Sequence, residues 1–410
     1  MRVLLGVCGS IAAYKTLDLA RSLVRAGHEV KVVLTRGAQE FVVPNVYKYL
    51  GVSEVFYAGD DFNYPDKTPR SSNVLHIELA KWADKLVIAP LSANTLSTLS
   101  RGGANDLLSS IFLAIEQNKQ ILLFPAMNTN MLNHPFVKEN FELVEKIKSL
   151  PQVFVATTKE GELACGDVGE GKLSDIEDIH ELIETLDFND NKKKIVITTG
   201  ATISSVDPVR YLTNASSGKT GFEIAKELLK SGHHVKVIAG KNATGNLDRL
   251  SAHPRFSLER VVSTRDMLKS ALESTINADA YISAAAISDI EFIQGESKLK
   301  KNQLSNSLEI NTAPDVLKNI LESRNPKLKV IGFAAETNLS EEILLEKWNR
   351  KKVDLLVGTH VSSGLTQKTN TPLGFGVDQA KYSLMKDGQI FFNGELTKKE
   401  LSTMIAQEIL

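Results

Sequence analysis

The chain carries the same β-turn-α-β pattern twice, and that repetition constrains its fold more than any other feature. Val3 to Val7 is an apolar run ending in Cys8-Gly9-Ser10, after which Ala13, Leu17, Ala20 and Val24 fall on one helical face. Gly27-His28 stops that helix and Val30 to Leu34 is the next strand. Later, Lys194 to Thr198 is a strand, Gly200 opens a loop, Gly221 to Leu229 has helical spacing, Gly232-His233 stops it and Val235 to Ala239 follows. Ala26-Gly27-His28-Glu29-Val30-Lys31-Val32-Val33 overlays Ser231-Gly232-His233-His234-Val235-Lys236-Val237-Ile238. Parallel strands joined by a helix imply a right-handed crossover, so the pattern predicts two tandem Rossmann-like α/β domains. A shared start of this common kind is no sign of internal duplication.

Leu186 to Lys194 is short, polar and charged, which fits an exposed linker. We therefore expect domains at 1–188 and 194–410 joined by 189–193. Leu86 to Ala89, Ile121 to Phe124 and Val153 to Ala156 continue the first domain as strands; Tyr57 to Ser72, rich in Asp, Pro, Asn and Ser, reads as a long surface loop. Tyr281 to Ala285, Lys329 to Phe333 and Leu355 to Val357 are buried-strand candidates in the second. Tyr382 to Met385 and Gln389 to Phe392 flank the hairpin signal Asp387-Gly388.

Composition narrows the function classes. A formal net charge of -1 over 410 residues offers no basic field for nucleic acid or an anionic membrane, so an anion must be bound locally. No stretch is apolar for the length of a membrane span and the N-terminus enters a strand directly, which predicts a cytoplasmic protein. The two cysteines, Cys8 and Cys165, cannot form a disulfide framework or a four-cysteine zinc site, and Cys8 reads as packing.

Candidate chemistry gathers at predicted strand ends, where open α/β sheets bind small ligands. Pro125-Ala126-Met127-Asn128-Thr129-Asn130-Met131 follows a strand and sets amide groups beside thioethers, a surface suited to a flat, largely apolar ligand with a few hydrogen-bonding atoms. Gly9-Ser10 at a strand-to-helix turn is a phosphate site in outline, with Thr35, Ser92, Asn94 and Thr95 as further donors. Gly-x-Gly-x-x-Gly spacing is missing, which favours a mononucleotide over a dinucleotide. His76 is the natural proton-transfer group. Cys165 lies in Ala164-Cys165-Gly166-Asp167-Val168-Gly169-Glu170-Gly171, read as a flexible glycine loop able to close like a lid.

In the second half, Gly218-Lys219-Thr220 imitates a P-loop, but the glycine required five positions earlier is Thr213. What remains is a Ser/Gly loop opening a helix, with Arg210 and Asn214 nearby, still a phosphate cradle. Lys298-Leu299-Lys300-Lys301 is either a solvated charge run or a neutraliser for a triphosphate.

Five ordered segments in the first half resemble the phosphopantothenoylcysteine decarboxylase family: Gly9 to Lys15, His76-Ile77-Glu78-Leu79, Gly103 to Leu107, Pro125 to Asn128 and Ala164 to Asp167. The whole chain resembles the bacterial bifunctional family of coenzyme A biosynthesis, in which that flavodoxin-like flavoprotein domain precedes a phosphopantothenate–cysteine ligase domain. The resemblance implies FMN, held by Gly9, Ser10, Ile11, Thr35, Ser92, Asn94 and Thr95. It implies oxidation of the substrate thiol to a thioaldehyde, loss of carbon dioxide, and reduction of the enethiolate to 4′-phosphopantetheine. His76 then assists the early steps, Asn128 binds the substrate carboxylate, Met131 encloses the site and Cys165 donates a proton.

Asp207 to Arg210, Asn214, Ser216-Ser217-Gly218, the lysine run and Gly332 to Thr337 resemble the ligase family. That resemblance implies activation of 4′-phosphopantothenate by CTP as an acyl-cytidylate, which the amine of L-cysteine opens with loss of CMP. On this carry-over Asn214 and Lys298 act around the acyl-cytidylate, and Asp289 serves the Mg2+-triphosphate end. Arg210, Ser216, Ser217, Gly218, Ala285, Ala286 and Phe333 complete the substrate site. The half departs from the family pattern at Ala201 to Val206, Thr312 to Asp315, Thr359-His360 and Val377 to Ala380, which leaves CTP against ATP open. A decarboxylase with a weakened ligase half is the runner-up, and a flavin-binding regulatory protein a third reading. The family further implies trimers of the flavin domain joined through dimers of the ligase domain, in a dodecamer.

Overall fold

The computed structural model describes residues 1–62, 74–146, 153–162, 164, 166–187, 192–293, 297–298, 308–365, 372–373 and 377–409. The chain divides into two compact units, Met1–Glu184 and Thr185–Leu410. Cys165, most of the Tyr57 to Ser72 loop and residues 189–191 of the expected linker lie outside the described residues.

The first unit is built on β1 (Arg2–Val7), β2 (Glu29–Leu34), β3 (Glu54–Tyr57), β4 (Lys85–Leu91), β5 (Gln120–Pro125) and β6 (Val153–Val155), arranged 3-2-1-4-5-6. Every pairing is parallel. Residues 3–7 of β1 are all buried, because helices cover both faces of such a sheet; the sequence accordingly shows an unbroken apolar run. Leu4, Val33, Leu86, Ile88 and Leu123 join one core with Leu75, Leu96 and Ile111 from the helices. Each such side chain contributes about 1.5 to 3 kcal/mol relative to exposure.

The first helix differs in phase from its expected face. A 3-10 segment, Ile11–Lys15, precedes the α-helix Thr16–Arg25, whose buried residues are Thr16, Leu19, Ala20 and Leu23, with Leu17 and Val24 only half-buried. The tighter turn advances the stripe by a residue. Thr16 is tolerated inside because its hydroxyl donates to the Ala13 carbonyl at 2.6 Å and bonds the buried Tyr47 hydroxyl. An antiparallel hairpin, β7 (Lys159–Glu162) and β8 (Val168–Lys172), follows the sheet.

The second unit continues with β9 (Lys194–Thr199), β10 (Ile203–Ser205), β11 (Tyr211–Thr213), β12 (His234–Gly240), β13 (Phe256–Val261) and β14 (Ala280–Ser283). Then come β15 (Ile290–Phe292), β16 (Ile310–Thr312), β17 (Lys329–Glu336), β18 (Leu355–His360), β19 (Ser362–Leu365), β20 (Pro372–Leu373), β21 (Gln379–Lys386) and β22 (Gln389–Thr397). Its main sheet runs β13-β12-β9-β14-β17-β18-β21-β22, and β10–β11, β15–β16 and β19–β20 are separate two-stranded ladders. Pairing is parallel as far as β18, after which β21 and β22 add an antiparallel edge. Asp387 and Gly388 have φ of 51° and 75°, the doubly positive turn expected of a two-residue hairpin. Alternation along β9 sends Ile195 and Ile197 to a core shared with Leu228 and Leu401, and Val196 to the opposite core with Tyr281 and Leu356. Among the described residues no helix is long and apolar enough to cross a membrane.

Candidate functional site

Each unit presents its polar loops at the carboxyl ends of its parallel strands. In the first, β1 runs into Gly9, which packs so closely on the β2 turn that a Cβ there would lie 2.9 Å from the Cα of Gly37. Ser10 then caps the 3-10 segment, its Oγ accepting from the Ala12 N–H at 3.4 Å. Thr35 Oγ1 accepts from the Ala38 N–H at 3.3 Å. After β4, Ser92 Oγ accepts from the Thr95 N–H at 3.3 Å and donates to Thr95 Oγ1 at 3.2 Å, opening the helix Ala93–Ser100 on which Asn94 lies. Cys8 is wholly buried, and burial pushes its thiol up to about 11 against hydrogen bonds with Thr95 and Ser92; it stays a neutral packing group.

Asn128 follows β5 and caps the short turn Thr129–Leu132, its Oδ1 accepting from the Asn130 N–H at 2.8 Å. The β7–β8 hairpin lies directly on this loop. Met127 N–H donates to the Gly171 carbonyl at 3.0 Å, and Thr129 Oγ1 donates to the Glu170 carbonyl at 2.5 Å. Gly171 has a φ of 122°, and a Cβ on it would stand 2.0 Å from the Met127 oxygen; one on Gly169 would stand 2.6 Å from Thr129 Oγ1. The reading of this segment as a flexible glycine loop is corrected for β8: Gly169 permits close approach of the Thr129 side chain and Gly171 that of the Met127 backbone, while a Cβ on Gly166 would meet nothing among the described residues.

A cavity of about 570 Å³ under the hairpin takes in Ser10, Ile11, Asn128, Ala164 and Gly171. Thr35, Ser92, Asn94 and Thr95 are not in its lining, nor are His76 and the half-exposed Met131. Ala164 brings the neighbourhood of Cys165 to the cavity, although Cys165 itself is outside the described residues. His76 stands in the first turn of the helix Leu75–Trp82, where Asp61 accepts from its backbone N–H at 3.1 Å and pairs with Nδ1 at 2.7 Å. A carboxylate on Nδ1 fixes the hydrogen there and leaves Nε2 as the basic nitrogen.

In the second unit a smaller cavity, about 110 Å³, sits where β9 and β14 part; Ser216, Ser217, Gly218, Ala285, Ala286 and Phe333 all line it. Asn214 borders it, donating from Nδ2 to the Ala286 and Ile287 carbonyls at 3.1 Å each. Arg210 is outside, its guanidinium committed to the buried Asp207 carboxylate through Nε at 3.0 Å and Nη2 at 2.5 Å. Asp289 and Lys298 are exposed. Burial holds the Lys351 ammonium below its ordinary value; Lys347 acts in the same direction and Asp315 and Asp289 oppose it, which places these charges within reach of one another. The sequence reading missed Lys219, Thr359, Tyr382 and Lys398, all of which line this cavity. Lys219 was visible in the motif; Lys398 gave no local signal.

Comparison with known proteins agrees with this division. Residues 1–186 match the family model described as Flavoprotein, and residues 191–410 match the DNA/pantothenate metabolism flavoprotein C-terminal domain. The coenzyme A biosynthesis bifunctional protein CoaBC of Haemophilus influenzae is 35% identical over 372 residues, 88% of this chain and 87% of that protein. Its Bacillus subtilis counterpart is 34% identical over 414 residues, 99% of this chain and 96% of that protein. The chain belongs to the coenzyme A biosynthesis bifunctional protein family. A solved PPC decarboxylase mutant complexed with pantothenoylaminoethenethiol is 34% identical, covering 44% of this chain and 95% of its own, with a TM-score of 0.39. The cavity under the hairpin falls within the Flavoprotein match and the one beside Gly218 within the C-terminal-domain match.

Proposed function

We propose that this chain ligates 4′-phosphopantothenate to L-cysteine with CTP in its second unit and decarboxylates the product to 4′-phosphopantetheine with FMN in its first. The observation that carries the reading is the Asn128 loop with the Cys165-bearing hairpin folded onto it over one cavity, in a chain of this family. The working domains are 1–188 and 194–410, joined by 189–193, and a cytoplasmic location belongs to the same proposal.

The first unit suits FMN. Its cavity lies within the roughly 300 to 1,000 Å³ of small-molecule sites, and the Gly9–Gly37 contact leaves backbone amides bare where a side chain would fill the cradle. Gly9, Ser10 and Ile11 would hold the phosphate end, with Thr35, Ser92, Asn94 and Thr95 supporting the turns around it. When bound, FMN supplies two-electron oxidation of the cysteinyl thiol and later returns the pair, so no outside oxidant is needed. Asn128 spends Oδ1 on Asn130, so Nδ2 is the donor a substrate carboxylate would use. The docked hairpin would exclude water, and Cys165 is the proton donor of the proposed reaction. His76, with Asp61 fixing its Nδ1, accepts a proton at Nε2. Because His76 is outside the cavity of its own unit, it serves the cavity of a neighbouring copy, in keeping with trimeric flavin domains joined by dimeric ligase domains; Met131 closes the same border.

In the second unit Asn214, Ala285 and Ala286 position the acyl group, the Ser216-Ser217-Gly218 amides face phosphate oxygens, and Phe333 gives the base or acyl chain an apolar wall. Arg210 braces the loop through Asp207. Lys298 meets the triphosphate as a point charge. Among the described residues no three His, Cys, Asp or Glu side chains gather to hold a metal. Mg2+ would be carried on the triphosphate, as it commonly binds, with one carboxylate, here Asp289.

Purified protein incubated with 4′-phosphopantothenate, L-cysteine, Mg2+ and either CTP or ATP, followed by mass spectrometry, tests both halves. Phosphopantetheine and CMP with CTP support the proposal. No ligation, with supplied phosphopantothenoylcysteine still decarboxylated, favours a weakened ligase half. Cys165→Ser is expected to keep its yellow flavin and stall before reduction; unchanged release of phosphopantetheine would remove Cys165 from the proton-donor role.

A further inference from the structure

The last helix begins with a lysine in a position that several physical rules disfavour. Lys398 is the first residue of the helix Lys398–Ile409 and is 6% exposed; it is the one lysine or arginine in the buried class among the described residues. Its Nζ donates to the Val377 carbonyl, and among the described residues no carboxylate lies within ion-pair distance of it. A buried ammonium without a counter-ion is costly, and the first turn of a helix is the wrong end for a cation. The helix itself needs no help from Lys398: Thr397 and Glu400 cap it, Thr397 N–H donating to Glu400 Oε2 at 2.8 Å and Glu400 N–H to Thr397 Oγ1 at 3.2 Å.

Lys398 shares its surroundings with a second first-turn lysine. Lys219 opens the helix Lys219–Lys230 immediately after Gly218, and both lysines line the cavity of about 110 Å³ that contains Ser216 and Ser217. Two helix N-termini and two ammonium groups thus converge on one small space. Inside the protein two carboxylates oppose this on Lys398 from beyond ion-pair distance: Asp378, which also lies 3.3 Å from Lys219 and is 87% exposed at its side chain, and then Glu223. Burial lowers the Lys398 ammonium below its ordinary value, and Lys219 lowers it further. An anion of about −2, such as a phosphate group, would relieve every one of these penalties together.

We propose that Lys398 is a substrate-binding residue of the ligase unit, holding a phosphate group against the Ser216-Ser217-Gly218 loop with Lys219. This rests on the ligase reading above and extends it to the C-terminal helix. Two substrates carry a phosphate, CTP and 4′-phosphopantothenate, and L-cysteine carries none, so the three kinetic constants distinguish the sources.

The test is steady-state ligation by full-length Lys398→Met, with Lys398→Gln as a second variant that retains a donor for the Val377 carbonyl. The KM of one phosphate-bearing substrate is expected to rise about 10- to 100-fold, the worth of a charged hydrogen bond, while kcat and the KM for L-cysteine change little. A rise for CTP assigns the contact to the triphosphate, and a rise for 4′-phosphopantothenate to its monoester. Unchanged KM for both, or an equal rise for L-cysteine, overturns the proposal. Protection of the protein against thermal unfolding by CTP or 4′-phosphopantothenate is read without turnover. If the wild-type protein makes no amide product yet is protected, and Lys398→Met is not, the ligase reading fails and the phosphate contact stands. Equal protection of wild type and variant counts against the contact.

Discussion

The two units stop their first long helix in the same way and then treat the same histidine oppositely. At one, Gly27 N–H donates to Val24 O at 3.0 Å and His28 N–H to Leu23 O at 3.1 Å; at the other, Gly232 N–H donates to Leu229 O at 2.9 Å and His233 N–H to Leu228 O at 3.1 Å. These paired bonds are the Schellman ending, and they follow from the local Gly-His sequence. Beyond the backbone the likeness ends. His28 Nε2 meets the Glu184 carboxylate, whereas the buried His233 accepts the Lys193 N–H at Nδ1 and has Lys193 and Arg255 as neighbouring cations. The binding ends of the sheets diverge similarly. One loop is roofed by a hairpin bonded to it; the other is faced by two first-turn lysines. Local punctuation is shared, and the chemistry laid on it is set by distant chain.

The hairpin contact offers the largest lever on that contrast, since nothing like it occurs among the described residues of the second cavity. Gly171→Ala combines a disfavoured φ with a 2.0 Å overlap on the Met127 oxygen, so the hairpin must lift. Strain and overlap together cost about 2 to 4 kcal/mol. Displacement of about 1 Å beside a reacting group costs on the order of 100-fold. Decarboxylation of phosphopantothenoylcysteine is therefore expected to fall about 100-fold, with CMP release unchanged. Assaying both reactions on the same preparation checks this, and a parallel loss of CMP release would break the independence of the two units.

A smaller effect probes what holds His76. Asp61→Asn removes the carboxylate from Nδ1, 2.7 Å away, without touching the cavity lining. Loss of an orienting partner of this kind is worth about 10-fold, against about 100-fold for His76→Gln, which removes the base. Both are expected in kcat for decarboxylation, with FMN absorbance retained and ligation unaffected. An Asp61→Asn effect equal to that of His76→Gln would mean that the carboxylate does more than orient the ring.

The legible parts of the molecule were those written in consecutive residues. Apolar runs gave β1, β4, β5, β9 and β17, because parallel strands are covered on both faces. Of the edge strands of the two main sheets, β13, reading Phe-Ser-Leu-Glu-Arg-Val, and β3, beginning with Glu54, escaped because polar residues interrupt them where one side is not shielded by a neighbouring strand, whereas β6 and β22 were read from Val153 to Ala156 and from the Asp387-Gly388 hairpin signal. The helical face of Thr16–Arg25 was misjudged because a 3-10 turn and one buried hydrogen bond admitted a threonine where Leu17 and Val24 were expected. At the sites, Asn128, Ser10, Ser216 and Gly218 lay in motifs beside strand ends. Lys398 and the glycine contacts of the hairpin depend on chain brought in from elsewhere, which periodicity does not register.

The smallest effect sharpens the histidine comparison itself. Burial first, then the charges of Lys193 and Arg255, lowers His233 below the ordinary histidine value, with Asp279 opposing. A folded-state value below the unfolded one means that the unfolded chain binds the proton more readily. The stability this group contributes is then complete above about pH 6.5 and is lost as pH falls below it. Protonation at Nδ1 would also displace the Lys193 N–H bond of 3.2 Å. Thermal melts of the full chain from pH 7 to pH 5 should show the second unit losing stability by at most about 1.4 kcal/mol per pH unit from this histidine. His233→Gln, able to accept the same N–H through its side-chain carbonyl, should flatten that part of the curve. An unchanged pH profile in His233→Gln would show that the buried, cation-flanked surroundings of His233 carry no weight in stability.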